Sequence, residues 1–184
     1  DSLLEGTSAP SPAEIYRVLR PCGGCLVLAL PASAAQERVT NWGGAALSGW
    51  KFQRSATGLV ASVTRGPLPG AGDWSHFYAD PGNTACSGDT LAAGPVDLQW
   101  FGRPGPGRLP DRHDKSMAPL YHQGRLFVPG DDYLVAVDAY NGAVLWERDV
   151  PASLRLGAFK NCGSMAAPDE RLYVASGSDC LALE

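Results

Sequence analysis

Arg125-Leu-Phe-Val-Pro-Gly-Asp-Asp-Tyr-Leu-Val-Ala-Val-Asp-Ala-Tyr-Asn-Gly-Ala-Val-Leu-Trp146 packs three strand signals and two turn signals into one stretch. Arg125 to Val128 and Tyr133 to Val137 are short runs rich in aromatic and β-branched residues. Pro129-Gly130-Asp131-Asp132 between them bends the chain, so the two runs predict a hairpin. Asn141-Gly142 supplies the residue types for both positive-φ positions of a type I′ turn, which returns Ala143-Val-Leu-Trp146 as the next strand. Met117 to Tyr121 in front makes four strands. Asp138 is placed to bind the backbone amides of the turn at Tyr140 to Gly142.

The pattern begins again downstream. Arg171-Leu-Tyr-Val174 matches Arg125-Leu-Phe-Val128, and Leu181-Ala-Leu-Glu184 matches Val135-Ala-Val-Asp138, both at an offset of 46 (171 − 125; 184 − 138). Ser116-Met-Ala118 answers Ser164-Met-Ala166 at an offset of 48, which predicts a small length change in the first hairpin turn of the unit. A strand-only period of about 40 to 50 residues is the signature of an all-β propeller. One four-stranded sheet has two apolar faces and needs neighbours to cover them.

Ala136-Val-Asp-Ala-Tyr-Asn-Gly-Ala-Val-Leu-Trp146 resembles the repeat of pyrroloquinoline-quinone-type (PQQ-like) propellers, in which Ala, Asp, Gly and Trp recur at this spacing. Tyr140 stands where that family has a smaller residue. The resemblance implies structural roles for Asp138, Gly142 and Trp146, with Trp146 packed between adjacent blades. Asp73-Trp-Ser-His-Phe-Tyr-Ala-Asp-Pro-Gly-Asn-Thr-Ala-Cys-Ser87 resembles the opening of quinoprotein-type propellers. Asp97-Leu-Gln-Trp-Phe101 then looks like the closing strand of the first unit, with Trp100 repeating the role of Trp146.

The amino-terminal third reads differently. Ser11-Pro-Ala-Glu14 predicts a helix to about Leu19, with Ser11 as N-cap, Pro12 at the first position and Glu14 as the capping-box acid. Arg20-Pro-Cys-Gly-Gly24 ends it, and Cys25-Leu-Val-Leu-Ala-Leu30 is an uninterrupted apolar run that suits a parallel strand covered on both faces. A second short helix is expected from Ser33 to Trp42, then a hairpin of Trp50 to Gln53 and Leu59 to Arg65 across Ser55-Ala-Thr-Gly58. Glu14-Ile-Tyr-Arg-Val-Leu-Arg-Pro-Cys-Gly-Gly-Cys-Leu-Val-Leu28 resembles the late segment of class I S-adenosylmethionine-dependent methyltransferases, with Cys22 as an extra residue in the loop. That family finishes with a reversed hairpin where residues 50–65 lie. Its cofactor-binding turn and acid would precede Asp1, so this piece is expected not to bind S-adenosylmethionine.

The expected fold class is therefore mixed, an α/β methyltransferase-like remnant followed by propeller blades. Residues 1–67 form the first part, 68–72 a linker within Gly66-Pro-Leu-Pro-Gly-Ala-Gly72, and 73–184 the blades. A composition of 45% hydrophobic and 18% charged residues over 184 is that of a globular protein, and Gly 22 with Pro 15 favours turn-rich β structure. A net charge of −4 gives no basic field, so nucleic acid is not an expected partner. No apolar run approaches the roughly 20 residues that span a bilayer. Asp1 and Glu184, the latter inside a repeat, make the chain read as a piece of a longer protein.

Loops leading into successive first strands, Asp111-Arg-His-Asp-Lys115 and Phe159-Lys-Asn-Cys-Gly163, are expected to crowd a central channel. There Arg112, Lys115 and Lys160 would contact anions, His113 would be base or metal ligand, and Asp114 its carboxylate partner. Cys162 would be a thiol beside Lys160. The opposing reading is a solvated charged loop. His122 is expected exposed in the turn His122-Gln-Gly124, and His76 packed among Trp74, Phe77 and Tyr78. Cys22-Gly-Gly-Cys25 lacks the following His of a haem site and has no second metal-type pair, so it reads as two ordinary thiols at a turn and strand start, against a redox or metal role. Catalytic and metal residues are not expected in the piece itself. The resemblances imply a propeller that binds a small molecule or protein, a quinoprotein oxidoreductase using PQQ with calcium, or a methyltransferase using S-adenosylmethionine. They also imply an extracytoplasmic location.

Overall fold

Ser11 turns the chain into its first helix. Its Oγ accepts the Glu14 amide at 3.2 Å, Pro12 fills the first position, and α1 (Pro12–Val18) follows. The returning half of the capping box is not what holds the Glu14 carboxylate: Arg17 Nε donates to its Oε2 at 2.8 Å, a charge-assisted bond within the same turn. Arg65 Nη1 donates to the carbonyls of Arg17 and Leu19, closing the helix one residue earlier than expected.

In this computed structural model the described residues are 10–102, 108, 118–153 and 165–184. The chain divides into two compact units, Asp1–Leu68 and Pro69–Glu184. In the first, α1 is followed by β1 (Cys25–Leu30), α2 (Gln36–Gly43), β2 (Lys51–Arg54) and β3 (Leu59–Thr64). The sheet order is β1-β3-β2 and both pairings are antiparallel, from Cys25 opposite Thr64 to Leu30 opposite Leu59. This corrects the parallel strand expected at Cys25–Leu30. It also corrects the two-sided cover: Leu59, Ala61 and Val63 are buried on one face, whereas Val27 is 59% and Val60 40% exposed on the other. Alternate side chains of a strand face opposite ways, and this unit covers one of them. Gly43 is a site of close approach, since a Cβ there would lie 2.8 Å from Trp50 Nε1 and 3.1 Å from Leu47 Cβ.

The second unit is built on antiparallel sheets. A four-stranded meander has the order β4-β5-β6-β7, with β4 (Leu120–His122), β5 (Arg125–Gly130), β6 (Tyr133–Asp138) and β7 (Val144–Asp149). A three-stranded sheet has the order β10-β9-β8, with β8 (Met165–Ala166), β9 (Leu172–Ser176) and β10 (Asp179–Leu183). The chain is thus sheet-rich, with two short helices among the described residues.

The two sheets share one register. Leu126 faces Val137, Phe127 faces Ala136 and Val128 faces Val135, while 46 residues on Leu172 faces Leu183, Tyr173 faces Ala182 and Val174 faces Leu181. The first strands obey the same offset, with Leu120 opposite Phe127 and Ala166 opposite Tyr173 (166 − 120 = 46). No length change sits in the hairpin turn, so the Ser-Met-Ala match at 48 is not the structural equivalence. Met117 lies outside the described residues.

The turns also differ from expectation. Gly142 has φ +73, but Asn141 is not among the positive-φ residues, so Asn141-Gly142 is not a type I′ turn. Instead Asp138 Oδ1 accepts the Tyr140 amide at 2.9 Å and the Asn141 amide at 3.3 Å. The Gly142 amide returns to the Asp138 carbonyl at 2.8 Å, and a bulge at Ala136/Val137 absorbs the longer loop. Gln123 (φ 46) and Gly124 (φ 78) carry the paired positive φ of a two-residue hairpin turn.

Two apolar clusters lie on opposite faces of the four-stranded sheet. Leu120, Phe127, Leu134 and Ala136 join Val150, Met165, Ala167, Leu172, Val174 and Leu183, with Trp74, Trp146 and Leu181 packed against them. This is the core between the two sheets, and the Trp146 ring lies 6.1 Å from that of Phe127. On the other face Val128, Tyr133, Val135 and Val137 are covered by Leu126 and Trp100. Residues 97–101 form no sheet pairing, which corrects the expected closing strand; side chains hold the segment down, through Trp100 Nε1 to the Ala139 carbonyl (2.9 Å) and Gln99 Nε2 to the Tyr140 carbonyl (3.0 Å).

Candidate functional site

Beside β4 runs the segment 73–76, and polar side chains gather there. Trp74 and Tyr121 exchange backbone hydrogen bonds at 2.9 and 3.0 Å, and the Ser75 carbonyl accepts the Ala167 amide at 2.8 Å. The segment therefore ties the first strand of one sheet to the end of the first strand of the other. Its neighbour Asp73 is anchored by its own amide, which donates to the Ser87 carbonyl at 2.9 Å.

These contacts bring Asp73 to His122. The imidazole Nδ1 lies 2.9 Å from Asp73 Oδ2 and 3.1 Å from Oδ1, with the His122 side chain 11% and the Asp73 side chain 46% exposed. His122 ends strand β4 and is half-buried, which corrects the exposed turn position expected for it. Its Nε2 is enclosed and has no hydrogen-bond partner among the described residues. A carboxylate at Nδ1 holds the proton of a neutral ring on that nitrogen and leaves Nε2 as a lone-pair acceptor. With Nε2 closed off from solvent, the pair acts as a clamp between residue 73 and β4 in this conformation. Beside it Ser75, buried, places its Oγ 2.9 Å from His76 Nδ1. Each histidine thus has its own oxygen partner, and no Ser-His-Asp relay is formed among these four.

The channel-loop residues Arg112, His113, Asp114, Lys115, Lys160 and Cys162 all lie outside the described residues. Among the described residues no three His, Cys, Asp or Glu side chains are grouped to hold a metal ion. Cys22 is half-buried at φ 55, and Cys25, Cys86 and Cys180 are exposed thiols. The Cys22 and Gly23 amides are bonded to the Gly66 and Arg65 carbonyls, so this stretch runs alongside residues 65–66.

The structural residues hold fixed places. Asp138 is 3% exposed and caps its own turn; Gly142 passes so close beneath Trp100 that a Cβ would meet the ring at 2.5 Å. Two loop carboxyls near the start of the unit sit below the ordinary value of 3.8. For Asp80 the main cause is the Thr84 hydroxyl; for Asp89 it is the Ala92 amide, followed by those of Gly72 and Leu91. Sequence reasoning missed the Asp73–His122 pair because its members stand 49 residues apart and carry no motif. No helix among the described residues is long and apolar enough to cross a membrane. A scan of protein-family models finds no match to this chain, and neither does a search of curated proteins.

Proposed function

We propose that this chain joins the closing part of a class I methyltransferase-like unit to PQQ-like propeller blades, and that the blades serve as a platform for a small molecule or another protein. The observation that carries the reading is the shared register at an offset of 46, with a tryptophan on each side of the first complete sheet. Trp146 lies in the core between two consecutive sheets, the role that the repeat resemblance implies for it. In the first unit, β3 lies between β1 and its own hairpin partner β2, which supports the reversed hairpin implied by the methyltransferase resemblance. Sheets whose two faces are both covered leave turns and inner edges as the parts free to meet a ligand.

A platform needs neither redox nor methyl-transfer chemistry in the blades. Titration with PQQ plus calcium, and separately with S-adenosylmethionine, tests this by absorbance and thermal shift. The platform reading expects no saturable change with either. A saturable quinone band would replace it with an oxidoreductase, and a saturable shift with S-adenosylmethionine would replace it with a methyltransferase.

A further inference from the structure

Asn141 has the neighbour that leaves its side-chain amide open to backbone attack. Asn41, Asn83 and Asn161 precede Trp42, Thr84 and Cys162, whose side chains crowd the amide that follows, whereas Asn141 precedes Gly142. In an Asn-Gly pair the glycine nitrogen, once it gives up its proton, can attack the asparagine Cγ and close a cyclic imide. Asn141 is exposed to water in the loop between β6 and β7. Its sequence alone makes it the most labile amide of the chain.

The folded turn blocks both movements that ring closure needs. The Gly142 amide donates to the Asp138 carbonyl at 2.8 Å, so the proton that must leave is held. Asn141 Oδ1 accepts the Ala143 amide at 2.9 Å, an Asx-turn that fixes the side chain. The Asn141 amide is itself held by Asp138 Oδ1 at 3.3 Å, and a Cβ on Gly142 would meet the Trp100 ring at 2.5 Å. Attack has to free the Gly142 amide and turn the Asn141 side chain away from Ala143, so it waits on local opening.

We propose that Asn141 is a modification site gated by this turn: deamidation is suppressed while residues 138–143 are closed and proceeds from the open form. The bond from Gly142 N to Asn141 Cγ forms, the Cγ–Nδ2 bond breaks, and ammonia leaves with the proton from Gly142. Water then adds to one imide carbonyl. Breaking the N–Cγ bond leaves aspartate; breaking the bond from N to the main-chain carbonyl carbon leaves isoaspartate, with the chain continued through Cγ. Either product sets a carboxylate close to that of Asp138. Isoaspartate also lengthens the backbone between residues 141 and 142, which removes the Gly142–Asp138 bond and draws Gly142 out from beneath Trp100. That turn does not close again, so the product marks molecules in which the β6–β7 connection has opened.

Peptide mass spectrometry of the full chain at mildly alkaline pH, folded in buffer and unfolded in guanidinium chloride, tests the gating. The folded chain is expected to convert Asn141 at least about tenfold more slowly than the unfolded one. Asp138→Ala removes a hydrogen-bond acceptor from the turn and is expected to raise the folded rate roughly fivefold while leaving the unfolded rate unchanged. Asp138→Asn, which keeps an acceptor oxygen, is expected to stay near the unaltered chain. If circular dichroism shows that Asp138→Ala does not fold, Trp100→Ala uncovers Gly142 from outside the turn and is expected to speed conversion in the same direction. Equal rates in the folded and unfolded chain, a comparison that needs no variant, overturn the proposal, as does an unchanged rate in a folded Asp138→Ala chain.

Discussion

Gly142 concentrates two constraints on one residue. Its φ of +73 suits glycine, and an added methyl group would enter the Trp100 ring. Gly142→Ala is expected to cost about 2 to 4 kcal/mol, strain and overpacking together, read as a lower urea midpoint at unchanged slope. Asp138 accepts two amides while buried, so Asp138→Ala leaves donors without partners and is expected to cost about 1 to 3 kcal/mol. Asp138→Asn keeps an acceptor oxygen and should recover part of that loss. At Asp73 and His122 a double-mutant cycle separates the pair from its surroundings: the two single Ala variants and the double are expected to leave a coupling of about 0.5 to 3 kcal/mol.

At the scale of elements, the loop 70–92 hangs on Asp89, whose carboxylate takes amides from Gly72, Leu91 and Ala92. Its folded pKa lies below the ordinary 3.8, so the charged form is the one the fold prefers. Such a carboxyl adds stability above its unfolded pKa and loses it as pH falls through the lower folded value. Asp80, depressed mainly by Thr84, acts in the same direction. Below about pH 4 the loop is expected to loosen first, and Asp89→Asn should flatten that acid limb when fluorescence is followed against pH. Between sheets the decisive element is β7. Trp146→Ala opens the shared core and is expected to cost about 2 to 4 kcal/mol, somewhat below a fully buried tryptophan because the ring is half-exposed.

For the whole molecule, two units with separate cores predict two unfolding events. Calorimetry is expected to resolve two transitions, with Trp146→Ala lowering one and leaving the other in place. A single transition shifted as a whole would contradict independent cores. Sheet-rich architecture was legible from Arg125 to Trp146 and its partial copy because strand residues, turn residues and burial all repeat at one interval. The alignment at Ser116-Met-Ala118 misled, since a match of three residues weighs less than the hydrogen-bond ladder that sets register. Asn141-Gly142 misled for a related reason: Asp138 captured the Tyr140 and Asn141 amides and enforced a longer loop. The run Cys25–Leu30 gave strand but neither direction nor cover, because an apolar run says nothing about its neighbours.

By itself the sequence determined what is local and periodic: the Ser11 cap, the strands from Arg125 to Trp146, the 46-residue interval and the aspartate that closes the turn. Only the tertiary structure decided the antiparallel direction of β1, the laying of Trp100 across the sheet, and the meeting of Asp73 with His122. Local pattern is written by neighbours a few residues apart, whereas these three depend on which distant segments exclude water together, and no spacing in the chain encodes that.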